Sequence, residues 1–447
     1  MNTAGHERWT LIALCGLAAV LVALTLATPP AFKAFGDNGY MALTVPAALV
    51  ALAASRVAEG APVKRTLWII LVVAFGLRVA LVLMEPSLST DIYRYVWDGR
   101  VQAAGINPYR YAPADPALAM LRDTAIYPNV NRADYAVTIY PPVAQMFFFA
   151  VTRVSESVTA MRLAFLLCET VTAIVIWSLL KQLGRPVTGI VAYLWHPLPM
   201  WEIANSGHID ALMVALMITG LWLAIAGKTQ RGAAAIALGA LAKPFALLAL
   251  PACWRPWDWR MPALAVAVIS VCYVPYLSVG AGAAGFLSAY FHEEHITDGG
   301  NNWLLMAWRS VIGAHPADVF VYLTLAGLVL AGLALVAAFR GDRTPQTMLG
   351  DTSRLLVTFL LLLSPKYPWY FLAIMPFVAL RGSAVLWAAS IGALLLQEEA
   401  GWGGYIPLFI RQTGLYGGVA IALLWSIWRS RAPRLEEGRV TGHGVAS

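Results

Sequence analysis

The sequence predicts an all-α polytopic membrane protein, and composition, charge and block length predict it together. Of its 447 residues 60% are hydrophobic and only 12% are charged, about half the charged share of a soluble domain. Mean hydropathy is +0.68. The apolar residues gather in blocks of about 17–22, the length that crosses a ~30 Å hydrocarbon core as a helix. The ~10-residue alternation of a transmembrane barrel is missing. A soluble multidomain enzyme, a nucleic-acid binder and a disordered chain are excluded. The net charge of +7, from 31 Lys+Arg and 24 Asp+Glu, is that of a membrane protein with basic cytoplasmic loops. Cys15, Cys168, Cys253 and Cys272 all lie in apolar blocks. They read as small buried hydrophobes, neither a disulfide framework nor a zinc site.

The first block, Trp9–Ala27, exceeds a signal-peptide core and lacks a small-x-small cleavage site, so an uncleaved helix is expected. Blocks at Tyr40–Val57 and Leu67–Met84 follow, and Arg56, Lys64 and Arg65 assign the turn between them to the cytoplasm. Residues 85–139 then emerge on the far side as the most polar stretch of the chain. Further spans are expected at Met161–Leu180, Val187–Pro199, Ile209–Ala226, Ala263–Leu277, Val319–Phe339, Leu355–Leu363, Tyr370–Leu380, Ala384–Leu396 and Leu415–Trp428. Two blocks either cross or turn back: Pro142–Thr152, which is short, and Ala233–Ala252, which Lys243-Pro244 interrupts. If both turn back, Lys181/Arg185, Lys228/Arg231, Arg255/Arg260, Arg340/Arg343 and the tail with Arg429, Arg431 and Arg434 all face the cytoplasm. The total is then about 11–13 transmembrane helices plus re-entrant segments. They form one domain over 1–447, with extracytoplasmic loops at 85–139 and 281–303 and a cytoplasmic tail at 429–447. Gln397–Gln412 and the tip Asn205–His208 fall on the same far side as the loops. The chemistry is expected there, on one face of the membrane.

In the first loop Thr90 or Asp91 can cap a helix running to about Ala104. Helical spacing places Asp91, Arg94 and Asp98 on one face and Ile92 and Val96 on another. That describes a membrane-surface helix with two carboxylates facing water, although Arg94 and Asp98 also fit an ordinary i,i+4 pair. Asn107-Pro108-Tyr109 and Thr138-Ile139-Tyr140-Pro141-Pro142 are proline-aromatic corners at the membrane boundary. The tip Trp195–Asp210 places His196, Glu202, His208 and Asp210 where ionisable residues are costly, which makes them functional candidates. His208 and Asp210 are two apart and point in different directions, which disfavours a metal site. Lys243 either neutralises a phosphate or satisfies a broken helix. Phe291–Asp298 holds a second acidic and histidine cluster with Glu293 and Glu294, equally readable as a solvated loop. Ser364–Tyr370 sets Lys366 among aromatics including Trp369, free to snorkel to water or to hold a phosphate. Arg78 is a further cation in reach of that surface.

These stretches resemble the GT-C glycosyltransferases that use polyprenyl-phosphate sugars, in particular bacterial polyprenyl-phosphomannose-dependent mannosyltransferases and the first mannosyltransferase of GPI-anchor assembly. The resemblance rests on Thr90-Asp91-Ile92, Asn107-Pro108-Tyr109, Tyr140-Pro141-Pro142, Asn205-Ser206-Gly207-His208-Ile209-Asp210-Ala211-Leu212, Lys243-Pro244-Phe245 and Ser364–Tyr370, in family order. It implies a catalytic Asp on a membrane-surface helix of the first extracytoplasmic loop, a role that falls on Asp91. Eukaryotic relatives often carry Asp-x-Asp there. This chain has Tyr93 at the second position, which weakens the argument for a metal: no cofactor is expected, and a divalent metal is left open but not favoured. In the mechanism this suggests, Asp91 takes the proton of an acceptor hydroxyl as it attacks the anomeric carbon. Lys366, with Arg78 or Arg94, holds the donor phosphate. Tyr140, His208, Asp210, Asp98, Glu293 and Trp369 line the substrate sites. The partners expected are a polyprenyl-phosphate sugar (mannose favoured), a lipid or glycan acceptor and membrane lipid, in a bacterial inner membrane with the site facing outward. A transporter or flippase for a lipid-linked glycan is the alternative, suggested by the broken helices.

Overall fold

The computed structural model describes residues 3–398 and 406–431. The expected tail beyond Arg431, with Arg434, and the stretch 399–405 lie outside the described residues. Among the described residues there is no strand. Six helices are long and apolar enough to cross a membrane: Glu7–Glu59, Val63–Leu83, Val158–Gln182, Arg260–Glu293, Asp318–Ala338 and Leu408–Arg431. Shorter, broken helices complete the bundle, as a sequence rich in internal proline dictates.

Helix α1 (Thr3–Glu59) is two helices joined at Gly36, whose backbone (φ 58°, ψ −143°) leaves the helical region. The corner closes tightly, because a Cβ on Gly39 would stand 2.2 Å from the Ala31 carbonyl oxygen. Thr25, Thr28 and Thr44 return their hydroxyls to the carbonyl four residues back, which satisfies them without water. Cys15 is exposed on the outer face of α1 rather than buried as expected. Helix α2 (Val63–Leu83) leads to the first loop.

At that end of the bundle α3 (Asp91–Ala103) and α4 (Pro142–Val154) lie against each other. Gly99 permits the approach: a Cβ there would meet the Phe148 carbonyl at 2.6 Å. The Pro142–Thr152 block therefore packs along α3. The chain crosses next in α5 (Val158–Gln182), whose Ser157 N-cap accepts from Ala160 N at 3.2 Å. This packing corrects the reading of α3 as a helix with two water-facing carboxylates. Asp98 is buried because α4 covers it, and its Oδ2 accepts from Gln145 Nε2 of α4 at 3.0 Å.

Residues 187–205 form 3₁₀, α and π turns in succession. Pro197 and Pro199 supply no N–H, and side chains step in: His196 Nδ1 accepts from Leu198 N, and Trp195 Nε1 donates to the Ile70 carbonyl. The helix Asp210–Ile225 that follows is apolar all round and lies at the centre of the bundle. It meets helix Thr229–Ala240 through Gly220 and Gly232, where a Cβ on either would stand within 2.7 Å of the other's carbonyl oxygen. Close backbone approach at small residues is the usual source of helix association where water supplies no drive.

The Ala233–Ala252 block turns back. Thr229–Ala240 runs toward the Asp210 end, the chain reverses at Lys243-Pro244, and the return ends with Trp254 against Phe339 at the far end. At that far end Asp351 pairs with Arg340 and Arg354. Helix Pro345–Leu363 thus begins well before the apolar block at Leu355, its early charges neutralised in place.

Candidate active site

The site gathers at the end of the bundle that carries α3, the loop after it, residues 285–303 and residues 364–370. Asp91 opens α3 as its first helical residue. Its N–H donates to Ser89 Oγ at 3.2 Å, and its Oδ1 accepts from Asn131 Nδ2 at 2.6 Å. The segment before it is clamped by the Asn205-Ser206-Gly207-His208 stretch. Asn205 Nδ2 donates to the Glu85 carbonyl at 3.1 Å, and its Oδ1 faces Ser87 N and Oγ at 3.3 and 3.2 Å. Gly207, with φ +72°, lets Ile92 of α3 and Arg162 of α5 close over it.

Beside Asn131, Arg132 takes a left-handed backbone (φ 51°), a conformation that costs a non-glycine residue about 1–2 kcal/mol. Its Nε lies 2.9 Å from both oxygens of Glu293, which also accepts from Tyr135 OH at 3.1 Å. Burial opposes the charge on Arg132, but its bonds to Glu293 outweigh burial and hold the guanidinium above its ordinary pKa. One residue on, Glu294 Oε2 stands 3.2 Å from Lys366 Nζ, and Glu294 Oε1 is 3.8 Å from Arg132 Nη2. Burial raises the Glu294 carboxyl, against the lowering pull of Lys366 and Arg132. Tyr290 and Tyr370 join their hydroxyls at 2.7 Å. The 285–303 segment is thus fastened over the site through Tyr290, Glu293 and Glu294.

Lys366 is placed by Ser364, which ends helix Pro345–Leu363 in the left-handed region (φ 52°) and accepts from Trp303 N at 3.0 Å through its Oγ. From Lys366 a stack descends into the protein. Lys366 Nζ lies 4.9 Å from the Tyr367 ring centre, Tyr367 stacks on Trp369 at 4.3 Å, and Trp369 stacks on His208 at 4.2 Å. His208 Nδ1 then approaches Glu202 Oε2 at 3.0 Å, though off hydrogen-bond geometry. Parallel to this stack, Lys243 Nζ stands 2.7 Å from Asp210 Oδ2 and 4.8 Å from the Tyr370 ring centre.

The residues singled out from the sequence therefore separate. Asp91, Tyr140, Glu293, Lys366 and Trp369 come together, with the charge of Asp91 felt at Arg132, Tyr140, Tyr290, Tyr367 and Tyr370. His208 and Asp210 lie beneath the site, buried and engaged by Trp369, Glu202 and Lys243, rather than in its wall. Arg78 is closed in a two-bond ion pair with Glu169 of α5, at 2.6 and 2.8 Å, which spends its charge away from the phosphate role expected for it. Arg94 is likewise spent, on Asp98 Oδ1 at 2.8 Å and the Ala136 carbonyl at 3.1 Å. For Arg94 and Asp98 the i,i+4 reading is the one the structure shows. Tyr140 offers its ring edge-on to Tyr95 at 4.9 Å, while its carbonyl accepts from Tyr109 OH at 2.7 Å. Asn131 and Arg132 carried no motif and were invisible to periodicity; only the density of polar residues in the 85–139 loop pointed their way. Among the described residues no group of three or more His, Cys, Asp or Glu could hold a metal ion.

The family described as "Alpha-(1->6)-mannopyranosyltransferase, N-terminal domain" matches residues 11–258, more than half of the chain. This chain belongs to that family. It is a membrane glycosyltransferase of the GT-C mannosyltransferase type, as its resemblance implied. Alpha-(1->6)-mannopyranosyltransferase A of Mycobacterium tuberculosis is 24% identical to it over 386 residues, covering 77% of this chain and 70% of that protein. The Corynebacterium glutamicum protein of the same name is 26% identical over 196 residues, 42% of this chain and 37% of that protein. A probable alpha-(1->6)-mannopyranosyltransferase of Mycolicibacterium smegmatis is 24% identical over 274 residues, 58% of this chain and 43% of that protein. No solved structure matches the chain. The family match takes in Asp91, Asn131, Arg132, Tyr140, His208 and Asp210, and stops before Glu293 and Lys366.

Proposed function

We propose that this enzyme transfers mannose from a polyprenyl-phosphate donor to a hydroxyl of a lipid or glycan acceptor, at the extracytoplasmic face of a bacterial inner membrane, with Asp91 as general base. The relatives' names support mannose and an α-1,6 linkage. The basic loops opposite the site support the orientation.

One observation carries the assignment of the base. The other carboxylates of the site are spent on cations: Asp98 on Arg94, Asp210 on Lys243, Glu293 on Arg132 and Glu294 on Lys366. Among the described residues no ion pair includes Asp91. Its Oδ1 takes a hydrogen bond from the neutral Asn131 amide, which fixes the carboxylate and leaves Oδ2 to accept a proton. A carboxylate base suffices, because an oxocarbenium-like transition state acidifies the attacking hydroxyl only as the new bond forms. The acceptor oxygen bonds to the anomeric carbon, the carbon–phosphate oxygen bond breaks, Asp91 keeps the proton, and the polyprenyl phosphate leaves as an anion. Lys366 faces that developing charge. Because polyprenyl phosphate is a good leaving group, the chain's own residues supply enough for the reaction without a metal.

The test is release of polyprenyl phosphate from polyprenyl-phosphate mannose by purified protein in lipid nanodiscs, with membrane extract as acceptor. Asp91→Asn, which keeps the Asn131 contact sterically, is expected to lose at least about 100-fold in turnover while still binding donor. Undiminished turnover would move the base elsewhere.

A further inference from the structure

We infer that Arg132 and Lys366 together form the seat for the donor's phosphate, and that the Glu294 carboxylate occupies that seat in the free enzyme. This rests on the polyprenyl-phosphate reading above and adds to it two residues, one that binds and one that gives way.

Three observations carry it. Two cations from distant parts of the chain converge on one carboxylate, Lys366 Nζ at 3.2 Å from Oε2 and Arg132 Nη2 at 3.8 Å from Oε1. That is the spacing a phosphate with oxygens on two sides bridges well. Glu294 is nevertheless a poor permanent partner. It is buried, and its Oε1 has no hydrogen-bond donor, which is costly for a carboxylate. Asp210 and Glu202 beneath the site also lack donors, but of the three Glu294 alone stands between two cations. Finally, Arg132 is anchored independently of Glu294. Its Nε is held by Glu293, so its Nη groups remain positioned when Glu294 leaves.

The surroundings suit a phosphate with an isoprenoid tail. A cavity of about 60 Å³ adjoins Glu294 and Lys366, and its wall continues through Leu305, Val319 and Leu323. Leu323 is about half exposed on the outer face of helix Asp318–Ala338, so the apolar wall continues to the surface that lipid covers. Opposite, Asn131 ties Asp91 to the residue next to Arg132. The charge of Asp91 reaches Arg132, so a phosphate seated here lies near the base. A carboxylate in the empty seat also keeps Lys366 from standing unpaired in a partly buried site.

The experiment measures binding of polyprenyl monophosphate, with polyprenol as the uncharged control, to wild type and variants in nanodiscs. Glu294→Gln removes the competing charge and should tighten binding about tenfold. Arg132→Gln should weaken it by about 30-fold or more, the loss of a charged hydrogen bond. Tyr290→Phe frees the same segment from Tyr370 without changing charge, and should shift binding less than about threefold, which separates loosening of the segment from emptying of the seat. Wild-type binding that Glu294→Gln leaves unchanged or weakens overturns the seat while leaving the donor reading intact. Binding by neither wild type nor Glu294→Gln overturns both.

Discussion

Gly207→Ala should cripple catalysis while leaving the bundle folded. Gly207 has φ +72°, where an alanine costs about 1–2 kcal/mol. The added Cβ would also stand 2.4 Å from Ile92 Cδ1 and 3.0 Å from Arg162 Cγ. Carbon atoms settle at roughly 3.5–4.0 Å, so Ile92 must retreat by more than about 1 Å. It is fully buried and has no solvent to swing into. Overpacking of this kind costs about 1–3 kcal/mol, and the cheapest relief is a shift of the first turn of α3, which carries Asp91 next to Ile92. A displacement of about 1 Å at a catalytic group costs on the order of 100-fold in rate. The assay is release of polyprenyl phosphate, with thermal unfolding in nanodiscs measured alongside. Ile92→Val supplies the control, since it removes Cδ1 and leaves the next Ile92 atom at 3.5 Å. Gly207→Ala/Ile92→Val should regain about tenfold of the lost rate, although Ile92→Val alone costs stability of about 0.5–1.5 kcal/mol. Wild-type turnover in Gly207→Ala, or a double variant that recovers stability but no rate, would refute the coupling of this glycine to Asp91.

Two further outcomes follow from charge pairing. Glu169→Ala leaves Arg78 buried beside the Leu194 carbonyl without its carboxylate and should destabilise the fold by about 3–5 kcal/mol. The Arg78→Met/Glu169→Leu double should recover most of that in thermal unfolding, and equal losses in single and double would show that the pair is dispensable. In the loop, Asp123 titrates below the usual carboxylate range: burial opposes this, but Arg100 and the Ile126 and Tyr127 amides outweigh it. A depressed carboxyl stabilises above its unfolded pKa, about 3.9, and its contribution is lost as pH falls below that value. Protection factors against hydrogen exchange at Ile126 and Tyr127 should fall on acidification below about pH 4 in wild type and already be low at neutral pH in Asp123→Ala. Slow exchange in the variant would remove the carboxylate from the account.

What was legible in the sequence divides along a physical line. Block length and polarity read the helices because a crossing helix satisfies its own backbone, so each span declares itself locally. The break in Ala233–Ala252 was visible in Lys243-Pro244 for the same reason, but whether the block crosses or turns back was left open by the sequence. A proline there removes a donor, and Lys243 marks the depth at which a charge meets Asp210. The position of Asp91 at the start of α3 was legible as a local pattern, whereas its role came only from the family resemblance.

Charge pairing is not local, and there the residue list alone misleads. Arg78 and Glu169 are 91 residues apart, Arg132 and Glu293 161. Nothing in the sequence says that Arg78 is spent on one partner while Lys366 keeps a replaceable one. Arg78, Arg94 and Lys366 look alike as cations near one membrane face. The distinction between them is the quality of the partner. Arg78 holds both oxygens of Glu169, and Arg94 shares Asp98 with Gln145. Lys366 meets a carboxylate whose second oxygen has no donor. A pair with every bond made is costly to open, and a pair left half-made in a buried place is held ready for exchange. On the reading proposed above, Lys366 is the cation left to serve substrate, while Arg78 and Arg94 hold the scaffold around Asp91.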